Sequence, residues 1–161
     1  MNSFDMSGDI KHTLILGLGN PLMGDEGIGV RAIDEFEKLE LSDKIAVHDG
    51  GTAGLGLIDL MAEYQRVIII DAADMGHPPG DVIKFTPKDV RLKMAETILS
   101  PHQIGLAEML ALANALDMLP PELVVIGVQP LRIEAGAKLS PEMEEAIPQI
   151  IRIVLKELDA S

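Results

Sequence analysis

Two carboxylates and one imidazole stand at positions where side chains can meet at one edge of a folded sheet. Glu26 follows the apolar run that ends at Gly19, Asp71 ends the run "RVIIID", and His102 stands near the start of an apolar helical segment. Carboxylate oxygens and an imidazole nitrogen suit a divalent first-row metal. Three protein ligands would leave coordination positions open for water or for atoms of a partner. The sequence therefore predicts an open metal site at Glu26, Asp71 and His102.

Each of these residues also has a simpler explanation when it is taken alone. Glu26 could complement a helix N-terminus, Asp71 could cap the following loop, and His102 could be a surface or capping residue. The setting of His102 is the segment "SPHQ", residues 100–103, which has the order of an N-cap, a first-turn proline and a capping box. The positive end of the helix dipole disfavours a protonated imidazole there, which leaves a ring nitrogen available to a metal.

The elements that position these residues follow from the apolar patterns. Continuous or short apolar runs predict five strands, in "TLILGLG", "KIAVHDGG", "RVIIIDA", "DVIKF" and "ELVVIGV". Apolar stripes over residues 28–39 and 104–116 predict helices between them, and Ser140 with Pro141 predicts a capped final helix. We expect an α/β three-layer sandwich, with about five mostly parallel, twisted strands and helices on both faces. Ligands of such sheets bind at the carboxyl ends of the strands.

Length and composition limit the classes of protein that this chain can be. With 161 residues we expect one domain, residues 12–161, after a flexible tail, residues 1–11. The chain has no cysteine, which excludes disulfides and thiolate chemistry, and its net charge of −13 disfavours nucleic acids. We find no signal peptide and no apolar run of about 18 residues. We therefore expect a cytoplasmic monomer that binds neither nucleic acid nor membrane.

The stretch "GLGNPLMGDEG", residues 17–27, resembles two kinds of glycine loop and fits neither. A dinucleotide-binding loop needs a third glycine where this chain has Leu22, and Asp25 and Glu26 would repel a pyrophosphate. "GLGNP" is also similar to the start of bacterial peptidyl-tRNA hydrolases. The similarity ends after five residues, without the histidine base of that family and with the wrong net charge for tRNA.

The stretch "LGLGNPLMGDEGIGVRAIDEFE" instead resembles the [NiFe] hydrogenase maturation endopeptidases. So do "DGGTAGLGLIDLM", "IIIDAADMG", "SPHQIGLAEMLALA" and "VVIGVQP", in the same order along residues 13–155. Some of these motifs are more similar to the branch that serves formate-linked hydrogenases, and others to the branch that serves uptake enzymes. The resemblance implies a phosphorylase/hydrolase-like fold and leaves the identity of the cognate hydrogenase open.

The resemblance also implies an activity. Members of this family remove a short C-terminal extension from the precursor of the hydrogenase large subunit after nickel has been inserted. Glu26, Asp71 and His102 match the family residues that form the metal-binding site and recognise nickel in the precursor. Nickel, or cadmium or zinc as a surrogate, could occupy this site. We expect the hydrogenase precursor to be the partner.

The catalytic group that attacks the peptide bond is not identified by the sequence. We find no G-x-S-x-G, H-E-x-x-H or D-[ST]-G motif, so a water activated by a carboxylate or by the metal is the candidate. Asp25, Asp49 and Asp74 are possible bases, although a cap or a solvated loop acid is the simpler explanation for each.

Two further alternatives concern the glycines and the class of protein. Gly50, Gly51 and Gly54 could let a substrate strand approach the backbone, or could simply form a tight turn. A nickel-binding accessory protein without cleavage is the competing function. Such a protein would usually carry a His-rich tract, and this chain has four scattered histidines.

Overall fold

A five-stranded sheet forms the centre of the protein. The computed structural model describes residues 11–86, 88–89 and 101–160, and for Lys11 and residues 101–104 it describes the backbone alone. The strands are β1 (Lys11–Leu18), β2 (Ile45–Gly51), β3 (Tyr64–Ala72), β4 (Val82–Phe85) and β5 (Glu122–Val128). Their order is β2-β1-β3-β5-β4, and every neighbouring pair is parallel except β4 and β5. The predicted, mostly parallel sheet is confirmed.

Helices cover both faces of the sheet, as predicted. The described helices are α1 (Ile28–Glu37), α2 (Ile58–Ala62), α3 (Pro101–Ala115) and α4 (Pro141–Asp159). Short 3-10 helices at Pro21–Gly27 and Gly54–Leu57 follow β1 and β2. Side chains of α1 and α4 build the core on one face, and side chains of α2 and α3 build it on the other. The three-layer sandwich is therefore confirmed.

Strand parity decides which helix layer each strand residue faces. Val67 and Ile69 of β3 belong to the core under α2 and α3, whereas Ile68 and Ile70 belong to the core under α1 and α4. Successive side chains of a strand point to opposite faces, so Asp71 continues the series of Val67 and Ile69. The alternation of side chains along β3 thus directs Asp71 toward the layer that contains α3.

Two glycines allow α1 to lie unusually close to the sheet. A methyl group on Gly29 would overlap the carbonyl oxygens of Leu18 and Ile70, and one on Gly17 would overlap the carbonyl oxygen of Gly29. Neither φ angle requires glycine, so close approach of the two backbones is the reason for both residues. Gly17 and Gly29 thus serve helix-to-sheet packing, which agrees with the absence of a phosphate-binding pattern in residues 17–27.

The helical stripes predicted from the sequence are partly wrong. Helix α1 ends at Glu37, so Leu39 lies past it and is exposed. Among the described side chains of α3, Met109, Leu110 and Ala113 are buried, while Leu112 on the predicted stripe is exposed. Helix α3 is apolar on nearly every side, and the sequence pattern therefore cannot tell which face the sheet will cover.

The predicted boundary between the tail and the domain lies at the start of β1. Lys11, the last residue of the predicted tail, begins β1, and the rest of that tail lies outside the described residues. The division into a tail and one domain remains a prediction. Among the helices that the structure describes, none has the length and apolar character needed to cross a membrane.

Candidate active site

The turn after β1 presents Glu26 at the carboxyl edge of the sheet. Asn20 caps the 3-10 helix Pro21–Gly27, since its Oδ1 accepts a hydrogen bond of 3.0 Å from the backbone N–H of Leu22. Gly24 has a φ of 64°, a conformation that favours glycine, and it reverses the chain within this turn. Gly19, with a φ of 121°, leaves no side chain where the carbonyl oxygen of Glu26 approaches β1. Glu26 is half-buried at the end of this turn.

Asp25, beside Glu26, is fully buried and anchors the turn. Its carboxylate accepts hydrogen bonds from the backbone N–H groups of Leu131, Arg132 and Ser140, at 2.9, 2.9 and 2.7 Å, and from the Ser140 hydroxyl at 2.8 Å. Burial alone would raise the pKa of Asp25, but the bonds from Ser140, Arg132 and Leu131 outweigh it and hold the pKa below its usual value. Asp25 therefore fastens the loop before α4 to the turn that carries Glu26.

This arrangement corrects one expectation about Ser140. The residue does stand at the N-cap position of α4, but its side chain makes no capping bond to the helix. The hydroxyl donates to Asp25 instead, and the Ser140 carbonyl accepts from the N–H groups of Met143 and Glu144. A carboxylate 115 positions earlier in the chain is the stronger acceptor, which no local capping pattern could indicate.

Asp71 is the second-last residue of β3 and is buried, with 8% of its surface exposed. Burial raises its pKa to about 8, a hydrogen bond from the backbone of Ala72 lowers the pKa, and the negative charge of Glu26 raises it further. At neutral pH Asp71 therefore holds a proton in the absence of a cation. A divalent cation beside it would release that proton and stabilise both carboxylates.

Glu26 and Asp71 line the same pocket of about 170 Å³. The pocket lies where β1 and β3 adjoin, which is the point at which successive connections leave the sheet in opposite directions, the usual ligand position in open α/β sheets. Its wall is completed by residues from the end of β1, the turn after β2, and α3. These are Leu18, Gly19, Gly51, Thr52, Gly54, Gly105, Leu106 and Met109.

The third predicted ligand, His102, is only partly described. Helix α3 includes position 102, and the helical period puts it on the face that carries Gly105, Leu106 and Met109, all of which line the pocket. The side chain of His102 lies outside the described residues, as do Ser100 and the side chain of Gln103. Among the side chains that are described, no three His, Asp or Glu residues could hold a metal ion together. The role of His102 as a metal ligand remains a prediction.

Two of the predicted bases, Asp49 and Asp74, have hydrogen-bond partners of their own. Asp49 is exposed and accepts from the N–H of Gly51, and Asp74 is exposed and accepts from Gly76 and from the Gln129 side chain. These bonds, like those of Asp25, give each acid a structural partner. Their role as bases remains a prediction.

Of the three predicted substrate-binding glycines, two line the pocket. Gly51 and Gly54 both have positive φ angles, of 49° and 51°. A methyl on Gly50 would press on the side chains of Leu16, Leu18 and Leu57, so packing explains that glycine. The described lining residues do not include Gly50. Substrate binding by these glycines remains a prediction.

Sequence reasoning missed three polar or small residues of the pocket wall, Gly19, Thr52 and Gly105. Thr52 follows the predicted glycine pair directly, so its position could have been noticed. Gly105 stands inside a predicted helix, and a glycine there is an available signal because it lowers helix stability.

Comparison with known proteins decides the family. A model of the hydrogenase maturation protease family matches residues 30–157. The chain belongs to the hydrogenase maturation protease family. This confirms the predicted family and the predicted class of enzyme, a hydrolase of peptide bonds.

Individual members of the hydrogenase maturation protease family are similar over almost the whole chain. The hydrogenase expression/formation protein HupD of Rhizobium leguminosarum bv. viciae is 39% identical over 90% of this chain and 73% of its own length. The hydrogenase 2 maturation protease of Escherichia coli K12 is 36% identical, with coverage of 92% and 91%.

Solved structures of hydrogenase maturation proteases share the fold. The maturating endopeptidase HybD from Escherichia coli has a TM-score of 0.82 and 35% identity, over 92% of this chain and 93% of that chain. The [NiFe] hydrogenase maturation protease HybD from Thermococcus kodakarensis has a TM-score of 0.75 and 30% identity, over 90% and 97%.

Proposed function

We propose that this protease removes the C-terminal extension of a [NiFe] hydrogenase large-subunit precursor after nickel has been inserted, and that it recognises the nickel at Glu26, Asp71 and His102. Nickel is here part of the substrate. Recognition through an incomplete coordination sphere would make cleavage depend on nickel, because a nickel-free precursor offers these ligands nothing to bind.

The observation that carries the proposal is the pairing of Glu26 with Asp71 in one pocket at the β1/β3 edge. Two carboxylates brought together, one of them buried with a raised pKa, form an arrangement that a divalent cation stabilises and that an empty pocket does not. The donor types fit nickel, which binds oxygen and imidazole ligands. Position 102 lies in the first turn of α3, and the helical period relates it to Gly105 and Leu106 of the pocket wall.

For the attack on the peptide bond we propose a water molecule rather than a covalent nucleophile. Asp25 is unsuited as its base, because four donors occupy its carboxylate and hold its pKa low. Among the described residues of the pocket wall, Thr52 carries the one hydroxyl group, and it is the alternative nucleophile. A Thr52→Val variant that still cleaves would support the water.

The test is to incubate the protein with nickel-loaded and nickel-free precursor and to follow shortening of the precursor by mass spectrometry. We expect cleavage of the loaded form alone, and a loss of at least about a hundredfold in kcat/KM for Glu26→Gln, Asp71→Asn and His102→Ala. Asp59→Asn, at an exposed position of α2, is the matched control and should cleave normally.

The outcomes separate the proposal from its alternatives. If the loaded precursor binds but is never shortened, the chain is a nickel-binding accessory protein. Equal shortening of both forms would remove the nickel requirement and leave only the protease. Release of peptide from peptidyl-tRNA would favour the third alternative, which the net charge of −13 argues against.

We also propose that the protein works as a monomer in the cytoplasm, without binding nucleic acid or membrane. Its acidic composition supports the exclusion of nucleic acid. Light scattering of the purified chain, alone and with precursor, would measure the oligomeric state. A stable dimer in the absence of precursor would contradict the monomer.

A further inference from the structure

Among the described residues, neither backbone conformation nor packing requires a glycine at position 105. It lies within α3, its φ is outside the left-handed region, and no atom of the described residues lies within 4 Å of the place where a Cβ would stand. Glycine inside a helix lowers stability relative to alanine, because it has more backbone freedom to lose on folding. Gly29 differs, since packing leaves no room for its Cβ.

The place where this glycine occurs is the wall of the pocket that holds Glu26 and Asp71. Gly54 lies on the same wall and also has open space where its Cβ would stand. Helix α3 packs against the 3-10 helix Gly54–Leu57, so these two glycines belong to neighbouring elements. A side chain at position 105 would enter space that no other described residue fills, on the wall of the pocket that Glu26 and Asp71 also line.

We propose that Gly105 determines specificity by keeping the passage to Glu26 and Asp71 wide enough for the main chain of the precursor beside the cleaved bond. The inference rests on the proposed function and adds to it a residue that contacts substrate rather than metal. A peptide backbone must come within hydrogen-bond distance of the groups that cleave it, and a side chain at position 105 would obstruct that approach. Glycine at position 105 thus lowers the stability of the helix but leaves room for the substrate to reach the site.

The experiment compares Gly105→Ala and Gly105→Leu with Gly56→Ala and Gly56→Leu. Gly56 is the matched control, because it also lacks a positive φ and has open space at its Cβ, but it is not among the described residues that line the pocket. Each variant is assayed for kcat/KM on the nickel-loaded precursor, for Tm, and for binding of Ni²⁺ alone by calorimetry.

We expect Gly105→Ala to raise Tm by about 2–4 °C, since alanine favours the helix and meets no neighbour. We expect the same variant to lower kcat/KM about tenfold, and Gly105→Leu to lower it about a hundredfold or more, mainly through KM. Both variants should bind Ni²⁺ as the unchanged protein does. Both Gly56 variants should cleave at the unchanged rate.

Three results would overturn the inference, and they can be told apart. Normal cleavage by Gly105→Leu would remove the specificity role and leave the proposed function intact. Loss of Ni²⁺ binding in parallel with cleavage would show that position 105 acts on the metal site and not on the peptide. Failure of the unchanged protein to cleave any precursor would overturn both the inference and the function beneath it.

Discussion

Two buried aspartates show how the same residue type takes opposite roles in this protein. Asp25 receives four hydrogen bonds and has a lowered pKa, whereas burial and the charge of Glu26 leave Asp71 with a raised one. The first is a structural carboxylate that is stable as an anion. The second is stable as an acid, and as the metal ligand that we propose it would lose its proton when a cation binds.

This difference predicts how Asp71→Asn changes stability with pH. The folded pKa of about 8 lies above the ordinary value of 3.8, so the contribution of Asp71 is fully present below pH 3.8 and is lost as the pH rises through 8. Asparagine cannot ionise, so the variant should become more stable than the unchanged protein as the pH rises, by a few kcal/mol at pH 9. Urea unfolding of the metal-free proteins between pH 5 and 9 measures the difference.

The same substitution at Asp25 is the contrast for that experiment. Asparagine would turn an NH₂ group toward the N–H donors of Ser140 or of Leu131 and Arg132, so Asp25→Asn should lose about 2–4 kcal/mol. Its stabilising contribution in the unchanged protein is present above the ordinary pKa and is lost as the pH falls through the lowered folded pKa. Equal responses of the two variants would contradict the roles assigned here.

At the scale of elements, the site depends on how closely α1 and its preceding turn lie against β1 and β3. Carbonyl oxygens of both strands occupy the space that a Cβ of Gly29 would need, and Gly17 faces Gly29 from β1. Because of this contact the end of β1 and the start of α1 are close together, and the 3-10 helix Pro21–Gly27 spans a short distance between them. Glu26 is consequently held at the sheet edge and is not carried outward by a longer loop.

We therefore predict that Gly29→Ala weakens the protein, although alanine is the better helix former. The added methyl must push α1 away from the carbonyl oxygens of Leu18 and Ile70, which should lower the free energy of unfolding by about 1–3 kcal/mol. Gly105→Ala, in an open place on α3, should raise it. Urea midpoints of the two variants check the sign, and a stable Gly29→Ala protein would mean that α1 can shift without cost.

At the scale of the whole molecule, the two cores share one sheet and should unfold together. The strands β1, β3 and β5 contribute alternate residues to both cores, so neither helix layer has a sheet face of its own. Buried Arg66 of β3 adds a link, since it bonds both the carbonyl and the carboxylate of Glu157 in α4. This organisation supports the predicted single domain.

A single thermal transition is the corresponding prediction. Tyr64 is the one tyrosine of the chain, which has no tryptophan, and it is buried in the core under α2 and α3. Its near-ultraviolet circular dichroism reports that core, while the far-ultraviolet signal reports the helices and strands of the entire chain. Coincident midpoints are expected for one cooperative unit. Separated midpoints would divide the chain into two units.

The architecture of this protein could be predicted from its sequence because it depends on local patterns. Continuous apolar runs indicate strands that are covered on both faces, and glycines and acids at their ends indicate a shared edge with ligand-type side chains. The five strands, their mostly parallel arrangement and the placement of Glu26 and Asp71 at one edge all follow from such patterns, whereas the family was predicted from the resemblance of its motifs.

The tertiary structure alone decided how the residues at that edge differ. Asp25 and Glu26 are neighbours in sequence, yet the bonds that make Asp25 structural come from residues 106 to 115 positions away. The burial that raises the pKa of Asp71, the buried face of α3 and the open space at Gly105 likewise depend on elements far apart in the chain. Local periodicity carries no information on such contacts, because burial and hydrogen-bond partners are set only when the layers pack.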